Sequence, residues 1–102
     1  MIKYEVNVYD SGAQEWYFKS QRHREDGPAI IGTNGTKAWW INGKRHREDG
    51  PAVEYRSGSE EWWLNGKKVT KADVMGYKVT IDGKEVTLSA ESYKALKESI
   101  ND

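Results

Sequence analysis

Short apolar runs alternate with turn signals through the first two-thirds of the chain. The run "AVEYR" at 52–56 is followed by Ser57-Gly58, and "EEWWL" at 60–64 is followed by Asn65-Gly66. Branched and aromatic residues that alternate with polar ones indicate half-buried strands. Asn-Gly between two such runs is a strong hairpin signal, because both central residues of the turn need positive φ. The pattern therefore predicts short antiparallel hairpins.

The hairpin pattern recurs every 23 residues. This spacing separates the members of two series, which are Gly12, Gly35 and Gly58, and Trp16, Trp39 and Trp62. The octapeptide "RHREDGPA" also occurs twice, at 22–29 and 45–52. Its Asp-Gly-Pro segment ends each unit, since glycine turns the chain and proline cannot continue a strand ladder. Three copies, the first of them degenerate, predict a meandering antiparallel sheet over residues 1–70.

Residues 71–102 predict a different, smaller unit with β-β-α order. The unit opens with a short helix, for which Thr70 and Asp73 form a capping-box pattern and which stops at Gly76. "YKVTIDGKEVTLS" predicts a hairpin about Asp82-Gly83. "SAESYKALKESI" predicts an amphipathic helix with Ser89 as its cap and Glu91 in its first turn. Its apolar face is expected to pack on the repeat sheet, and consists of Tyr93, Leu96 and Ile100. The fold class is therefore mainly β with a small β-β-α tail.

The segments "WWINGKRHREDGPA" and "WWLNGKKV" resemble the MORN repeat, a unit of aromatic, Asn-Gly-Lys and His positions followed by a short strand and Gly. They are more similar to a divergent form, common in small phage and bacterial proteins, whose units end in "HREDGPA". The resemblance covers about two-thirds of the chain and implies a tandem hairpin scaffold for protein contacts, without catalysis of its own. Some bacterial relatives act as antitoxin or immunity components. Arg24 and Arg47 replace the glycine that usually follows the histidine, so we do not carry over the lipid binding of some MORN proteins.

Composition narrows the class of partner. Sixteen basic and sixteen acidic residues cancel, so no global field draws the chain to nucleic acid. The chain has no cysteine, which suits a reducing compartment. The N-terminal segment has no signal-peptide core, and no apolar run approaches transmembrane length. We therefore expect a cytoplasmic protein, in the host cytoplasm if it is phage-encoded, with no membrane association.

The octapeptide holds residue types that can carry chemistry, but its spacing does not favour a catalytic site. Equivalent positions one hairpin apart in a sheet lie roughly 10 Å apart. His23 and His46 would be too distant to share a zinc ion, whose ligands lie about 2 Å from the metal. The expected role is a polar scaffold between repeats. We therefore expect no enzyme activity, no metal and no cofactor.

The paired tryptophans predict two faces. Successive strand side chains point in opposite directions, so Trp39 and Trp40 cannot both face the core. Trp16, Trp39 and Trp62, each with an apolar residue two positions later, are assigned to the packed face. Tyr17, Trp40 and Trp63 are then assigned to the opposite face, where they are either covered by the tail helix or form a binding surface. The predicted partner-binding residues are Tyr17, Trp40, Trp63, Arg24, Arg45 and Arg47.

The expected function is a non-enzymatic protein-binding module. Given the resemblance, the specific expectation is a small phage or bacterial inhibitor, an anti-defence factor or an antitoxin, which blocks a bacterial protein by occupying its surface. The alternative is a nucleic-acid-binding module that uses the sheet aromatics and the Arg-His-Arg runs. In that alternative Glu25, Asp26, Glu48 and Asp49 neutralise each run. A homodimer is left open.

Overall fold

The computed structural model describes residues 1–100, apart from the side chain of Ile100. It is an elongated, mainly antiparallel β structure of 58 × 30 × 22 Å that ends in a β-β-α tail. The strands and helices are β1 Glu5–Val8, β2 Gln14–Phe18, β3 Gln21–Arg22, β4 Ile30–Ile31, β5 Lys37–Ala38, β6 Trp40–Ile41, β7 Lys44–Arg45, β8 Val53–Glu54, β9 Glu60–Leu64, β10 Lys67–Val69, α1 Lys71–Met75, β11 Tyr77–Ile81, β12 Lys84–Leu88 and α2 Ala90–Ile100.

Each repeat contains two hairpins with different turns. The first turn closes with a glycine, and in the opening repeat the Gly12 N–H donates to the Tyr9 carbonyl at 2.8 Å. The second is the two-residue Asn-Gly turn predicted from the sequence, in which Asn42 and Gly43 have φ of 50° and 78°. Positive φ at both positions matches the right-handed twist of the flanking strands. The hairpin prediction is confirmed.

The sheet is continuous across the repeats because each central strand changes partner at its tryptophan. In the second repeat, Ala38 pairs with Ile30 on one side and with Val53 on the other. Two residues later, Trp40 pairs with Arg45. Between them the Trp39 N–H donates to the carbonyl of Ala52 at 2.7 Å. Residues 37–39 are therefore hydrogen-bonded to the following repeat, whereas Trp40–Ile41 pair with Lys44–Arg45 of their own repeat.

The core is thin and is formed by small side chains. Among the described residues, the buried apolar ones are Ala29, Ala38, Ala52 and Val53, together with Pro51. Trp39, Trp40, Trp62 and Trp63 are all half-buried. The prediction that Trp39 and Trp62 are largely buried while Trp40 and Trp63 are accessible is not supported, because a single-layer sheet has no second layer to cover either face.

The local structure of the tail is as predicted. Thr70 and Asp73 form a reciprocal capping box for α1, and Gly76 ends that helix with φ of 86°. Asp82 and Gly83 form the turn between β11 and β12, with φ of 50° and 76°.

The packing of the tail differs from the prediction. The Tyr93 ring of α2 stacks on Tyr77 of the tail hairpin, with ring centroids 4.0 Å apart. The main contacts of α2 are with α1 and β12, and α1 contacts β9 of the repeat sheet. Tyr93 finds an aromatic partner within the tail, so α2 does not need the sheet to bury that ring. In the described part of the chain, no helix has the length and apolar character needed to cross a membrane.

The turn of the first repeat provides a test of the repeat model. Lys19 and Ser20 hold φ of 50° and 64° where the later repeats have Asn-Gly. Left-handed backbone costs a residue with a Cβ about 1–2 kcal/mol, so Ser20→Gly is expected to raise the free energy of unfolding by about 1 kcal/mol. Urea denaturation measures this change.

The reciprocal substitution Gly43→Ser is the matched control and should lower the free energy of unfolding by a similar amount. A Ser20→Gly variant that is less stable than the parent would show that the turn conformation does not limit stability.

Candidate binding face

The second arginine of each octapeptide braces the sheet on the face of Trp16 and Trp39. The Arg24 guanidinium carbon lies 3.7 Å from the centroid of the Trp16 ring, and that of Arg47 lies 3.9 Å from the centroid of Trp39. The Arg47 Nε donates to Asp49 at 3.0 Å, and its Nη1 donates to the Pro51 carbonyl at 3.1 Å. Arg24 makes the same two contacts one repeat earlier. The arginine lies over the tryptophan ring and hydrogen-bonds the aspartate side chain and the proline carbonyl, so these contacts hold the octapeptide loop against the tryptophan.

The glycine of each octapeptide is explained by the same packing. A Cβ built on Gly50 would lie 2.7 Å from the guanidinium carbon of Arg47, and one on Gly27 would lie 3.0 Å from that of Arg24. These distances leave no room for a side chain unless the arginine moves. The Arg-Glu-Asp-Gly-Pro segment is therefore one structural unit.

The histidine links each repeat to the next. The ring of His23 is buried, and its Nδ1 accepts the N–H of Asn42, the first residue of the following Asn-Gly turn, at 2.9 Å. His46 accepts the N–H of Asn65 in the same way at 2.9 Å. An Nδ1 that accepts carries no proton in this state. The octapeptide thus contributes the contacts expected of the predicted scaffold.

The predicted partner-binding residues divide between the two faces. Arg24 and Arg47 lie over Trp16 and Trp39, whereas Arg45 lies with Trp40 and Trp63. Strict alternation along an extended strand would put Arg45 and Arg47 on the same side. The strand ends at Arg45, so the alternation does not extend to Arg47.

Tyr17, Trp40, Trp63 and Arg45 belong to a row that we call the aromatic–cation ladder, with Arg22 and Lys68 as its other members. Each aromatic residue lies directly opposite a cation on the neighbouring strand, in the pairs Tyr17 with Arg22, Trp40 with Arg45, and Trp63 with Lys68. The arginines also reach the adjacent repeat. The guanidinium carbon of Arg22 is 5.2 Å from the Trp40 ring centroid, and that of Arg45 is 5.0 Å from the Trp63 centroid. Sequence reasoning left out Arg22 as a site residue, although the 23-residue spacing from Arg45 was the signal that could have found it.

Glutamates fix the two ends of the ladder. Glu61 accepts the Trp63 Nε1–H at 2.9 Å and the Tyr55 hydroxyl at 2.9 Å. These hydrogen bonds, with smaller contributions from nearby Lys68 and Arg45, lower the pKa of Glu61. At the other end, hydrogen bonds from the hydroxyls of Tyr9 and Tyr17 lower the pKa of Glu15. Both carboxylates therefore stay charged and hold their aromatic neighbours in place.

A groove of about 780 Å³ lies between the two octapeptides on the opposite face. Trp39, Ile41 and His46 contribute to its lining, together with the braced arginines. Within residues 1–100, no group of three His, Cys, Asp or Glu side chains is placed to hold a metal ion. The groove is thus walled largely by side chains that already have structural partners.

Comparison of the chain with protein-family models, with curated proteins and with solved structures gives no match. The resemblance to MORN repeats therefore stays a prediction, and the candidate site rests on its geometry.

The packing of Arg47 against Trp39 and Gly50, which we call the brace, can be tested by a double-mutant cycle. Gly50→Ala is expected to displace Arg47 from Trp39 and to lower the free energy of unfolding by about 1–3 kcal/mol. In an Arg47→Ala background the added methyl group meets no guanidinium, so the same substitution should cost much less. Chemical denaturation of the four proteins gives the coupling. Additive effects would contradict the brace.

The lowered pKa of Glu61 predicts that the protein loses stability at acidic pH. Because the folded-state pKa of Glu61 is lowered, its contribution to stability is present above the unfolded value of about 4.3 and is lost as the pH falls below it. Glu61→Gln should therefore be less stable than the parent at neutral pH, with a smaller loss of stability between neutral and acidic pH.

Melting curves from pH 7 to pH 3 measure this difference. Glu60→Gln, which alters the adjacent exposed carboxylate, is the control and should keep the parent's pH dependence. Equal pH profiles for the Glu61 variant and the parent would contradict the assignment.

Proposed function

We propose that the protein is a non-enzymatic module that binds a protein partner through the aromatic–cation ladder. The observation that carries the proposal is the alternation of aromatic and cationic side chains along one face of the repeat sheet. Tryptophan, tyrosine and arginine are the residues most enriched at binding hot spots, because they offer large area and directed hydrogen bonds. The ladder consists of these types, apart from Lys68.

The ladder is also well prepared for association. Its backbone lies in hydrogen-bonded strands, and Glu61 fixes the Trp63 ring through the indole N–H. Side chains that are already ordered lose less entropy when a partner docks. The Tyr93 ring, which could have covered the ladder, is stacked on Tyr77 instead. These features support an exposed binding face.

A protein partner fits this face better than bases do. Single-stranded nucleic acid binds where open aromatic faces accept stacked bases and cations track the backbone. Two guanidinium groups already lie near the Trp40 ring, with Arg22 at 5.2 Å and Arg45 at 5.3 Å from the centroid. Glu15 and Glu61 offset part of the positive charge. Nucleic acid remains the alternative ligand, and a binding assay with single-stranded DNA or RNA distinguishes it from a protein partner.

The inhibitory role follows from the resemblance to small phage and bacterial repeat proteins. The chain has no net charge. Its affinity would come from shape and desolvation more than from long-range steering. We therefore extend the proposal to an anti-defence factor or antitoxin that occupies the surface of a bacterial protein in the cytoplasm.

The test begins with capture of partners from bacterial lysate and continues with calorimetry of variants against the captured protein. Trp40→Ala and Trp63→Ala are each expected to weaken binding by about 2 kcal/mol or more. Each variant should still fold, because both rings are half-buried on the face opposite Trp39.

Arg45 and Arg47 provide a matched pair, since they are two residues apart in one octapeptide and lie on opposite faces. Arg45→Ala should weaken binding with a small effect on the melting temperature. Arg47→Ala should lower the melting temperature and leave the affinity of the folded protein unchanged. The reverse pattern would move the binding site to the groove, and a salt-dependent shift on single-stranded DNA or RNA that Trp40→Ala abolishes would favour the nucleic-acid alternative.

A further inference from the structure

The central repeat lacks an acceptor that both flanking repeats have. In the first repeat Glu15 accepts the Tyr17 hydroxyl at 3.0 Å, and in the third Glu61 accepts the Trp63 indole N–H at 2.9 Å. Ala38 occupies the equivalent position of the central repeat, 23 residues from each glutamate. The tyrosine that completes each glutamate cluster, Tyr9 or Tyr55, is likewise replaced by Gly32.

Among the described residues, three buried side-chain nitrogens make no hydrogen bond, one of which is His23 Nε2. The other two are Trp40 Nε1 and Arg45 Nε. A buried donor without an acceptor costs about 1–3 kcal/mol, and more if it is charged. Both belong to the ladder and flank the position where a glutamate side chain would lie.

We infer that an acidic side chain of the protein partner supplies the missing acceptor. It would bind at the Ala38 position and accept a hydrogen bond from Trp40 Nε1, as Glu61 does from Trp63 Nε1, and a second one from Arg45 Nε. This inference rests on the proposed function and names the chemistry that the ladder recognises. The chain itself shows that a carboxylate suits this environment, because it places one at each end of the same row.

Charge favours the same occupant. Arg22 and Arg45 flank Trp40, and the central repeat contributes no acid at position 38. In the first repeat a single carboxylate, Glu15, lies 3.9 Å from the corresponding arginine, Arg22. A partner carboxylate would place the same charge beside Arg45.

Access requires one side chain to move. Both orphan nitrogens are covered in the free protein. The side chain of Arg22 is 44% exposed and lies across Trp40, so it can swing away without breaking the brace on the opposite face. Binding is therefore accompanied by a shift of Arg22.

The experiment follows the indole N–H resonance of Trp40 by NMR, assigned by its absence in Trp40→Phe. The probe is a blocked hexapeptide that contains one glutamate among glycine and serine, compared with the same peptide containing glutamine. The glutamate peptide should move the resonance downfield in a saturable way, and the glutamine peptide should bind about tenfold more weakly. No response, or an equal response to the two peptides, would overturn the inference. A larger response to a thymidine hexanucleotide would overturn it in favour of nucleic acid.

Ala38→Glu provides the acceptor within the chain. This variant should show the shifted Trp40 resonance without peptide, and the glutamate peptide should then leave it unchanged. If the larger side chain of Ala38→Glu prevents folding, Arg45→Lys provides a second test. This substitution keeps the positive charge and removes the Nε donor. It should weaken the peptide response severalfold, and full retention of that response would overturn the inference.

Binding measurements with the captured partner distinguish a failure of this inference from a failure of the proposed function. If Trp40→Ala weakens partner binding and Ala38→Glu does not, the subsite is wrong and the ladder remains the binding face. If the peptide response appears as expected while Trp40→Ala and Trp63→Ala leave partner binding unchanged, the subsite stands and the proposed function fails.

Discussion

The stacking of Arg24 on Trp16, repeated by Arg47 on Trp39, is the contact on which the rest of the sheet depends. Within residues 1–99, the buried apolar side chains are three alanines, one valine and Pro51, so hydrophobic burial alone gives a small stabilisation. The arginine compensates by covering a large ring with its guanidinium plane while Asp26 and the Pro28 carbonyl satisfy its N–H groups. The two octapeptides share the same geometry because both make this contact.

The brace also separates the roles of the two faces. Because the octapeptide loops pack on Trp16 and Trp39, their polar groups are used within the chain, including His23, which accepts the N–H of Asn42 in the next turn. The opposite face carries the ladder, whose cations lie beside rings and are not tied to a neighbouring loop. A scaffold on one face leaves the other face free to present Trp40 and Trp63.

Features that depend on local sequence could be predicted, and features that depend on where a strand ends could not. The turns at Asn42-Gly43 and Asp82-Gly83 and the capping box at Thr70 follow from backbone preferences of a few residues. The split of Arg45 from Arg47 depends on the chain leaving the strand at His46, for which alternation gives no signal. The partial burial of both Trp39 and Trp40 depends on how the whole fold covers the sheet, which no local pattern indicates.

In a repeat protein each copy is a reference for the others, so a deviation at one position has physical meaning. Glu15 and Glu61 show that the row beside the ladder accommodates a carboxylate and gains hydrogen bonds from it. Ala38 has no acceptor to offer, and Trp40 Nε1 and Arg45 Nε have no hydrogen-bond partner. A glutamate at position 38, like those at positions 15 and 61, would provide an acceptor and reduce the cost of these unpaired donors. This cost falls at the centre of the ladder, where the proposed partner would have the most surface around it to exclude water and where an added hydrogen bond would contribute most to affinity.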